Sequence, residues 1–279
     1  LGVQGSARAQ GITTAAPAEV GLSPQRLSRI GDWLRAEVAA KKIPGAVVMV
    51  LRRGKVAYVE SVGNRRPDAA TPMAFDDIFR IYSMTKPIVS VAALMLAEEG
   101  KLLLEALVAA YIPAFANVKV GVEKADAAGN RTLDLVAPLR PMTVQDLLRH
   151  TSGLTYGFQS RTNVDAAYRK GKVDAFEAES LEAFIAALGK LPLEFSPGTA
   201  WNYSVATDVL GYLVGLISGV PFDEFLRKNI FEPLGMVDTA FFVGDDKAAR
   251  FASCYMAGPE GKPVPLPGNN FRSPPQALS

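Results

Sequence analysis

The stretch Arg80-Ile81-Tyr82-Ser83-Met84-Thr85-Lys86-Pro87, followed by the apolar run Ile88 to Ala97, decides how the rest of the chain is read. It reads as a short extended segment turning into a helix, with a serine at the junction and a lysine three residues on. Ile88, Val91, Ala92, Met95 and Leu96 recur at helical spacing and predict a stripe facing a core. Pro87 falls early enough that its missing N–H costs little, and Gly100 after Glu98-Glu99 supplies a stop. Ser83 and Lys86 lie nearly one helical turn apart, so their side chains are expected on one face. A hydroxyl at a helix start, with an amine above it and free backbone N–H groups around it, suits a nucleophile. The amine takes the hydroxyl proton, and the N–H groups help hold a developing oxyanion. On spacing alone, Ser-x-x-Lys fits a serine N-cap followed by a solvated lysine better than it fits a reactive pair. The apolar helix behind the lysine shifts that balance, because it sets the pair at the mouth of a buried element.

The chain has 279 residues, 49% hydrophobic and 21% charged, with a formal net charge of +2. This is a soluble globular composition, long enough for a large core and two lobes. The near-balanced charge gives no reason to expect nucleic acid or an anionic membrane surface as a partner. No apolar run approaches the roughly 18 residues of a transmembrane span. One histidine and one cysteine exclude a zinc site of ordinary ligand count within this chain. Asp245-Asp246 lacks the spacing of a calcium loop and reads as a solvated turn. No metal or cofactor is expected. Cys254 has no internal disulfide partner and is expected to pack. Ala7-Arg8-Ala9 before Gln10 fits the cleavage pattern of a secretory signal. Residues 1–9 are therefore expected to be a signal-peptide remnant of a periplasmic or secreted protein, with a cytoplasmic location as the alternative.

Ser23-Pro24 opens a first helix whose apolar face is Leu27, Ile30, Leu34 and Val38. Gly45 to Leu51, the turn Arg52-Arg53-Gly54-Lys55 and Val56 to Val62 form a β-hairpin. From Lys101 to about Arg250 the chain reads as mainly helical, with Asn117 to Leu139 as an irregular insertion. Thr143 caps Val144 to Arg149, which His150-Thr151-Ser152-Gly153-Leu154 stops, and Ser180 caps Leu181 to Leu188. The turn-rich loop Phe195 to Ser204 leads into the apolar helix Val205 to Ser218, where Asp208 is the only charge, and Pro221 to Phe231 is a further helix. Strands are expected to return at Arg250 to Tyr255 and Lys262 to Pro265, around the turn Gly258-Pro259-Glu260-Gly261.

Ser83-Met84-Thr85-Lys86, Leu147-Leu148-Arg149-His150-Thr151-Ser152-Gly153-Leu154 and Pro197-Gly198-Thr199-Ala200-Trp201-Asn202-Tyr203-Ser204 stand in a recognisable order, supported by Glu98-Glu99-Gly100-Lys101-Leu102 and Pro233-Leu234-Gly235-Met236. With these motifs, from about residue 20 to 245, the chain resembles the serine β-lactamase and penicillin-binding-protein superfamily. It is most similar to the branch of class C β-lactamases and family VIII carboxylesterases. The resemblance implies an α/β fold of the α+β type, in which an antiparallel sheet with flanking helices joins an all-helical lobe, with the site between them. It divides the chain into residues 10–82 (sheet domain), 83–250 (mainly helical, carrying the nucleophile helix) and 251–279 (an incomplete return to the sheet). It makes Ser83 the nucleophile, Lys86 its activator and Tyr203 the general acid and base.

Two departures bear on activity. Tyr203-Ser204-Val205 lacks the carboxamide of the Tyr-x-Asn motif, which favours esters over β-lactams. No Lys-Thr-Gly, His-x-Gly or Trp-Gly-Gly follows residue 205, so the chain reads as truncated at its carboxyl end, with C-terminal strands missing. The expected activity is that of a serine hydrolase working through an acyl-enzyme on small or short-chain esters. The alternatives are a β-lactamase or D-alanyl-D-alanine carboxypeptidase, or a penicillin-binding or catalytically dead module that does not turn over. The expected partner is a small-molecule ester or β-lactam; oligomeric state is left open. A Ser-His-Asp hydrolase would need His150, but the chain has no Gly-x-Ser-x-Gly elbow.

Overall fold

Ser23 caps the first helix, α1 (Pro24–Ala39), its hydroxyl accepting from the Arg26 N–H, and Pro24 takes the first turn. The computed structural model describes residues 13–66, 71–125, 127, 131–173 and 178–266. The expected signal remnant at residues 1–9 and the last part of the 251–279 segment lie outside the described residues. Leu27, Gly31 and Leu34 are the buried face of α1, with Ile30 and Val38 half-buried beside it. Strands β1 (Thr13–Thr14), β2 (Gly45–Arg52) and β3 (Lys55–Gly63) make one sheet in the order β1-β3-β2. β2 runs antiparallel to β3 as expected, from Gly45 opposite Gly63 to Arg52 opposite Lys55, whereas the two-residue β1 pairs parallel. Arg53 and Gly54 between them both have positive φ (53° and 70°), which matches the twist of a two-residue hairpin turn. At Gly31, α1 packs on β3 with the Glu60 carboxylate, the flexible end of its side chain, in the space a Cβ would take.

Tyr82–Leu234 forms a compact unit of its own. It opens with α2 (Thr85–Glu98), which buries Val89, Ala92, Ala93 and Leu96. The predicted stripe is thus corrected: Ala92 and Leu96 belong to it, but Val91 is 49% exposed. This helix is apolar on nearly every side, so periodicity could not say which side faces the core. After α3 (Val108–Tyr111) come β4 (Val120–Ala125) and β5 (Arg131–Val136), an antiparallel hairpin where an irregular insertion was expected. Charged residues such as Glu123, Lys124 and Asp134 dilute the alternation, and β4 is anchored from outside the hairpin: Gly121 N–H donates to Leu193 O at 2.9 Å. Among the described residues, the otherwise helical unit therefore contains one β-ribbon.

The remaining helices are α4 (Val144–Leu148), α5 (Asn163–Lys170), α6 (Leu181–Leu188), α7 (Ala206–Ser218) and α8 (Phe222–Leu226), the last running into a π-type turn over Arg227–Phe231. Only α5 was not anticipated. Helix α7 is buried almost all round, at Ala206, Thr207, Val209, Leu210, Gly211, Leu213 and Val214, and packs on α2 and α4. Phe184, Leu147, Leu188, Leu210 and Leu213 are core side chains with almost no exposure. No single helix among the described residues is long and apolar enough to cross a membrane.

From Gly235 the chain rejoins the sheet-bearing unit, earlier than the expected boundary near Arg250. The reason is local: Arg250 donates to both oxygens of Asp238 at 2.8 Å and to Asp76 O at 2.7 Å, and Ile78 N–H donates to Arg250 O at 2.8 Å. Strands β6 (Tyr255–Ala257) and β7 (Pro263–Pro265) pair antiparallel, so the first returning strand starts at Tyr255 and not at Arg250. Cys254 is half-buried and free.

Candidate active site

Ser83 sits on a single 3₁₀ turn, Tyr82–Met84, that leads directly into α2. Tyr82 holds a left-handed φ of 41°, a conformation a bulky residue adopts only when its surroundings impose it. That bend fixes the direction in which the serine leaves the chain. No side chain caps the start of α2, so its first-turn N–H groups are not claimed by a cap. Lys86, in that first turn, donates to Ser83 Oγ at 3.5 Å. From the loop before α7, the Tyr203 hydroxyl donates to the same oxygen. The three side chains predicted from sequence therefore converge on one atom, Ser83 Oγ. Ser83 is exposed and Lys86 and Tyr203 are half-buried, so the oxygen is open to an incoming molecule.

The electrostatics favour a reactive phenol. Burial pushes the Tyr203 hydroxyl up, but hydrogen bonds with Lys86 and Ser83 and the charge of Lys86 outweigh it, against a smaller opposing push from Asp208. The net result is a phenol held below its ordinary value. Lys86 Nζ lies 4.7 Å from the Tyr203 ring centroid and 5.6 Å from that of Tyr156. Tyr156 in turn donates to Asp208 Oδ2 at 3.5 Å and stacks on Phe158 at 4.8 Å between centroids. Tyr156 and Asp208 escaped the sequence reading as site residues. One signal for them was visible: Asp208 is the sole charge in an otherwise apolar helix.

His150 does not reach Ser83 Oγ by any hydrogen bond. Its Nδ1 lies 3.3 Å from Ser204 Oγ, its ring lies 5.1 Å from the Tyr203 ring, and its φ of 56° turns the chain after α4. Burial, then the charge of Lys86, hold it below its usual value, so the ring is neutral at pH 7. It acts here as a turn residue and a wall behind Tyr203.

The loop carrying Tyr203 is fastened at several points. Asn202 N–H donates to His150 O at 2.9 Å, Asn202 Nδ2 donates to Leu154 O at 3.0 Å, and Gln159 Nε2 donates to Tyr203 O. Arg161 donates to Asn202 Oδ1 at 2.5 Å and to Gln159 Oε1. The Asn202 carboxamide thus ties the loop to Leu154 and Arg161. Val205, two residues after the tyrosine, is buried and offers no polar atom from its side chain. Among the described residues no cluster of His, Cys, Asp and Glu is arranged to hold a metal ion.

The Beta-lactamase family profile matches residues 30–278. An uncharacterised protein of Mycobacterium tuberculosis is 39% identical over 223 residues, covering 80% of this chain and 53% of its own length. Esterase EstB of Burkholderia gladioli is 35% identical over 252 residues, covering 87% of this chain and 59% of the esterase. Among solved structures, EstCE1, described as a hydrolase with promiscuous acyltransferase activity, superposes with a TM-score of 0.72 at 27% identity, over 87% of this chain and 59% of EstCE1. The chain spans about half the length of the curated relatives it matches. Its mixed helix-and-sheet architecture is that of the β-lactamase and transpeptidase fold. By profile and by sequence identity, the chain belongs to the beta-lactamase family.

Proposed function

We propose that the protein is a serine hydrolase working through an acyl-enzyme, with small or short-chain carboxylic esters as substrates. The observation that carries this reading is the convergence of Lys86 and Tyr203 on Ser83 Oγ. Lys86 holds the Tyr203 phenol below its ordinary value, which favours the form that takes the Ser83 proton as Oγ attacks the ester carbonyl. The uncapped N-terminus of α2 offers N–H groups to the negative oxygen that forms. When the tetrahedral intermediate collapses, Tyr203 returns the proton to the leaving alkoxide, and the acyl group stays on Ser83. A water then gives its proton to Tyr203 and attacks the acyl carbon. Ser83 Oγ leaves and recovers the proton, which closes the cycle.

Two features support esters over lactams. The buried Val205 supplies no carboxamide to grip a β-lactam amide, and Asn202 is committed to Leu154 and Arg161. A relative at 35% identity bears the name esterase. The test is intact-mass analysis after exposure to a fluorophosphonate, followed by turnover of p-nitrophenyl acetate and a chromogenic cephalosporin. One adduct on the wild type, none on Ser83→Ala, and ester turnover reduced at least 100-fold in Tyr203→Phe are expected. An adduct on Ser83→Ala would remove the assignment. A product burst without steady turnover would instead mark a protein that acylates and stalls, and faster cephalosporin than ester turnover would move the substrate class to β-lactams.

A further inference from the structure

Beneath the loop that carries Tyr203 lies a second cluster of titratable groups. Asp165, in the first turn of α5, is 0% exposed. It accepts from Thr155 Oγ1 at 2.7 Å and from the Arg161 N–H at 2.8 Å. Thr162 Oγ1 accepts from the Asp165 N–H at 3.1 Å and so ties it to the half-buried carboxyl of Glu194, placing the two carboxyl groups within reach of one shared proton. Glu194 accepts from Thr162 Oγ1 at 2.5 Å, and its own N–H donates to Gly153 O at 2.7 Å. A hydrogen bond between two carboxyl groups needs one proton between them. Nearby charges do little to replace that proton: Arg161 Nε is 4.0 Å from Asp165 and 57% exposed, and the Tyr168 phenol, buried beside the pair, is held neutral by burial. Glu123 faces the N-terminus of α5, accepting from the Asn163 N–H at 2.7 Å, and adds a further negative charge.

The segments this pair ties together are those that hold Tyr203. Thr155 and Gly153 belong to the turn after His150, while Arg161 and Thr162 belong to the segment that reaches Asn202 and Gln159. Glu194 begins the loop ending in Tyr203. We infer that Asp165 and Glu194, sharing one proton, are positioning residues for Tyr203: the protonated clasp fixes the loop, and loss of its proton releases it. This rests on the reading of Tyr203 as the general base.

Burial first, then the Asp165 carboxylate, push Glu194 up from an ordinary 4.5 to about 7, while donors around Asp165 overcome its burial and keep it low. A carboxyl whose value is raised by folding stabilises the fold while protonated. Its contribution is full below about pH 4.5 and is lost as pH rises through about 7.

The chain has two tryptophans, and one of them, Trp201, adjoins Asn202 and Tyr203. In a Trp33→Phe background, Trp201 emission and short-chain ester turnover are followed from pH 5 to 9. Both are expected to change in a step centred near pH 7, turnover falling above it, and Glu194→Gln, whose amide donates to Asp165 at every pH, is expected to abolish the step in both. A separate response of His150, which lies 6.1 Å from Trp201, occurs on the acid side and persists in that variant. If Glu194→Gln loses its far-ultraviolet circular dichroism, Asp165→Asn serves instead, moving the step acidward. A step unmoved in either folded variant, no step in the wild type, or, in a protein that turns over ester, an emission step without a matching one in turnover overturns the inference. An emission step that depends on Glu194 in a protein that neither turns over ester nor takes a fluorophosphonate adduct would retain the clasp and sink the acyl-enzyme reading.

Discussion

At the scale of single residues, reach decides what each side chain can do. Ser83 and Lys86 were legible together because a helix brings residues three apart onto one face, and they lie 3.5 Å apart. Tyr203 was legible only through resemblance, since no periodicity links it to Ser83 across the intervening chain. Tyr156 went unread for the same reason: its place beside Lys86 depends on the fold of the segment after His150. His150 is the informative contrast, being the lone histidine of a chain read as a hydrolase. Its contacts with Ser204 and the Tyr203 ring make it structural. His150→Asn is therefore expected to keep ester turnover within about tenfold of wild type, because Asn tolerates the left-handed backbone at this position. A loss as deep as that of Tyr203→Phe in the same assay would add His150 to the catalytic set.

At the scale of elements, the short helix α4 shows how a polar clasp can replace length. Five residues give too few internal hydrogen bonds to persist alone. Asp146 makes up the deficit: it accepts from Arg140 at 2.6 and 2.8 Å, from the Thr143 N–H at 2.9 Å and from Thr151 Oγ1 at 2.9 Å, while Thr143 caps the helix. Burial pushes the Asp146 carboxyl up, but these donors win and hold it at about 2. Its stabilisation is thus full above about pH 4 and is lost as pH falls through about 2. Asp146→Ala is expected to cost about 2–3 kcal/mol at pH 7, a deficit that shrinks as the acid limb is entered. Urea unfolding at several pH values measures both, and a pH-independent difference would contradict the clasp. The helix and its cap were legible because Thr143 and Asp146 are neighbours in sequence. The hairpin of β4 and β5 was not, since its anchor at Leu193 is distant along the chain.

At the scale of the whole molecule, sequence motifs located the family and the broad alternation of sheet and helix, while boundaries depended on long-range partners. Asp238, Arg250 and Ile78 draw residues 235–250 back to the sheet-bearing unit, and no local pattern announces an ion pair of that kind. The division has a consequence for heredity. Ser83, Lys86, Tyr203 and the Asp165–Glu194 clasp all lie inside one uninterrupted segment, Tyr82–Leu234. Two crossovers, at Ile81/Tyr82 and Leu234/Gly235, would carry the proposed nucleophile, activator, base and proton clasp into a relative's gene as a single block. A chimera made from a full-length esterase of the family is expected to form its acyl-enzyme on the transplanted serine, read by fluorophosphonate mass labelling, and to acquire the step in turnover near pH 7 with it. Recombination at those two points keeps the proposed set of residues together, whereas a crossover between Lys86 and Glu194 divides it.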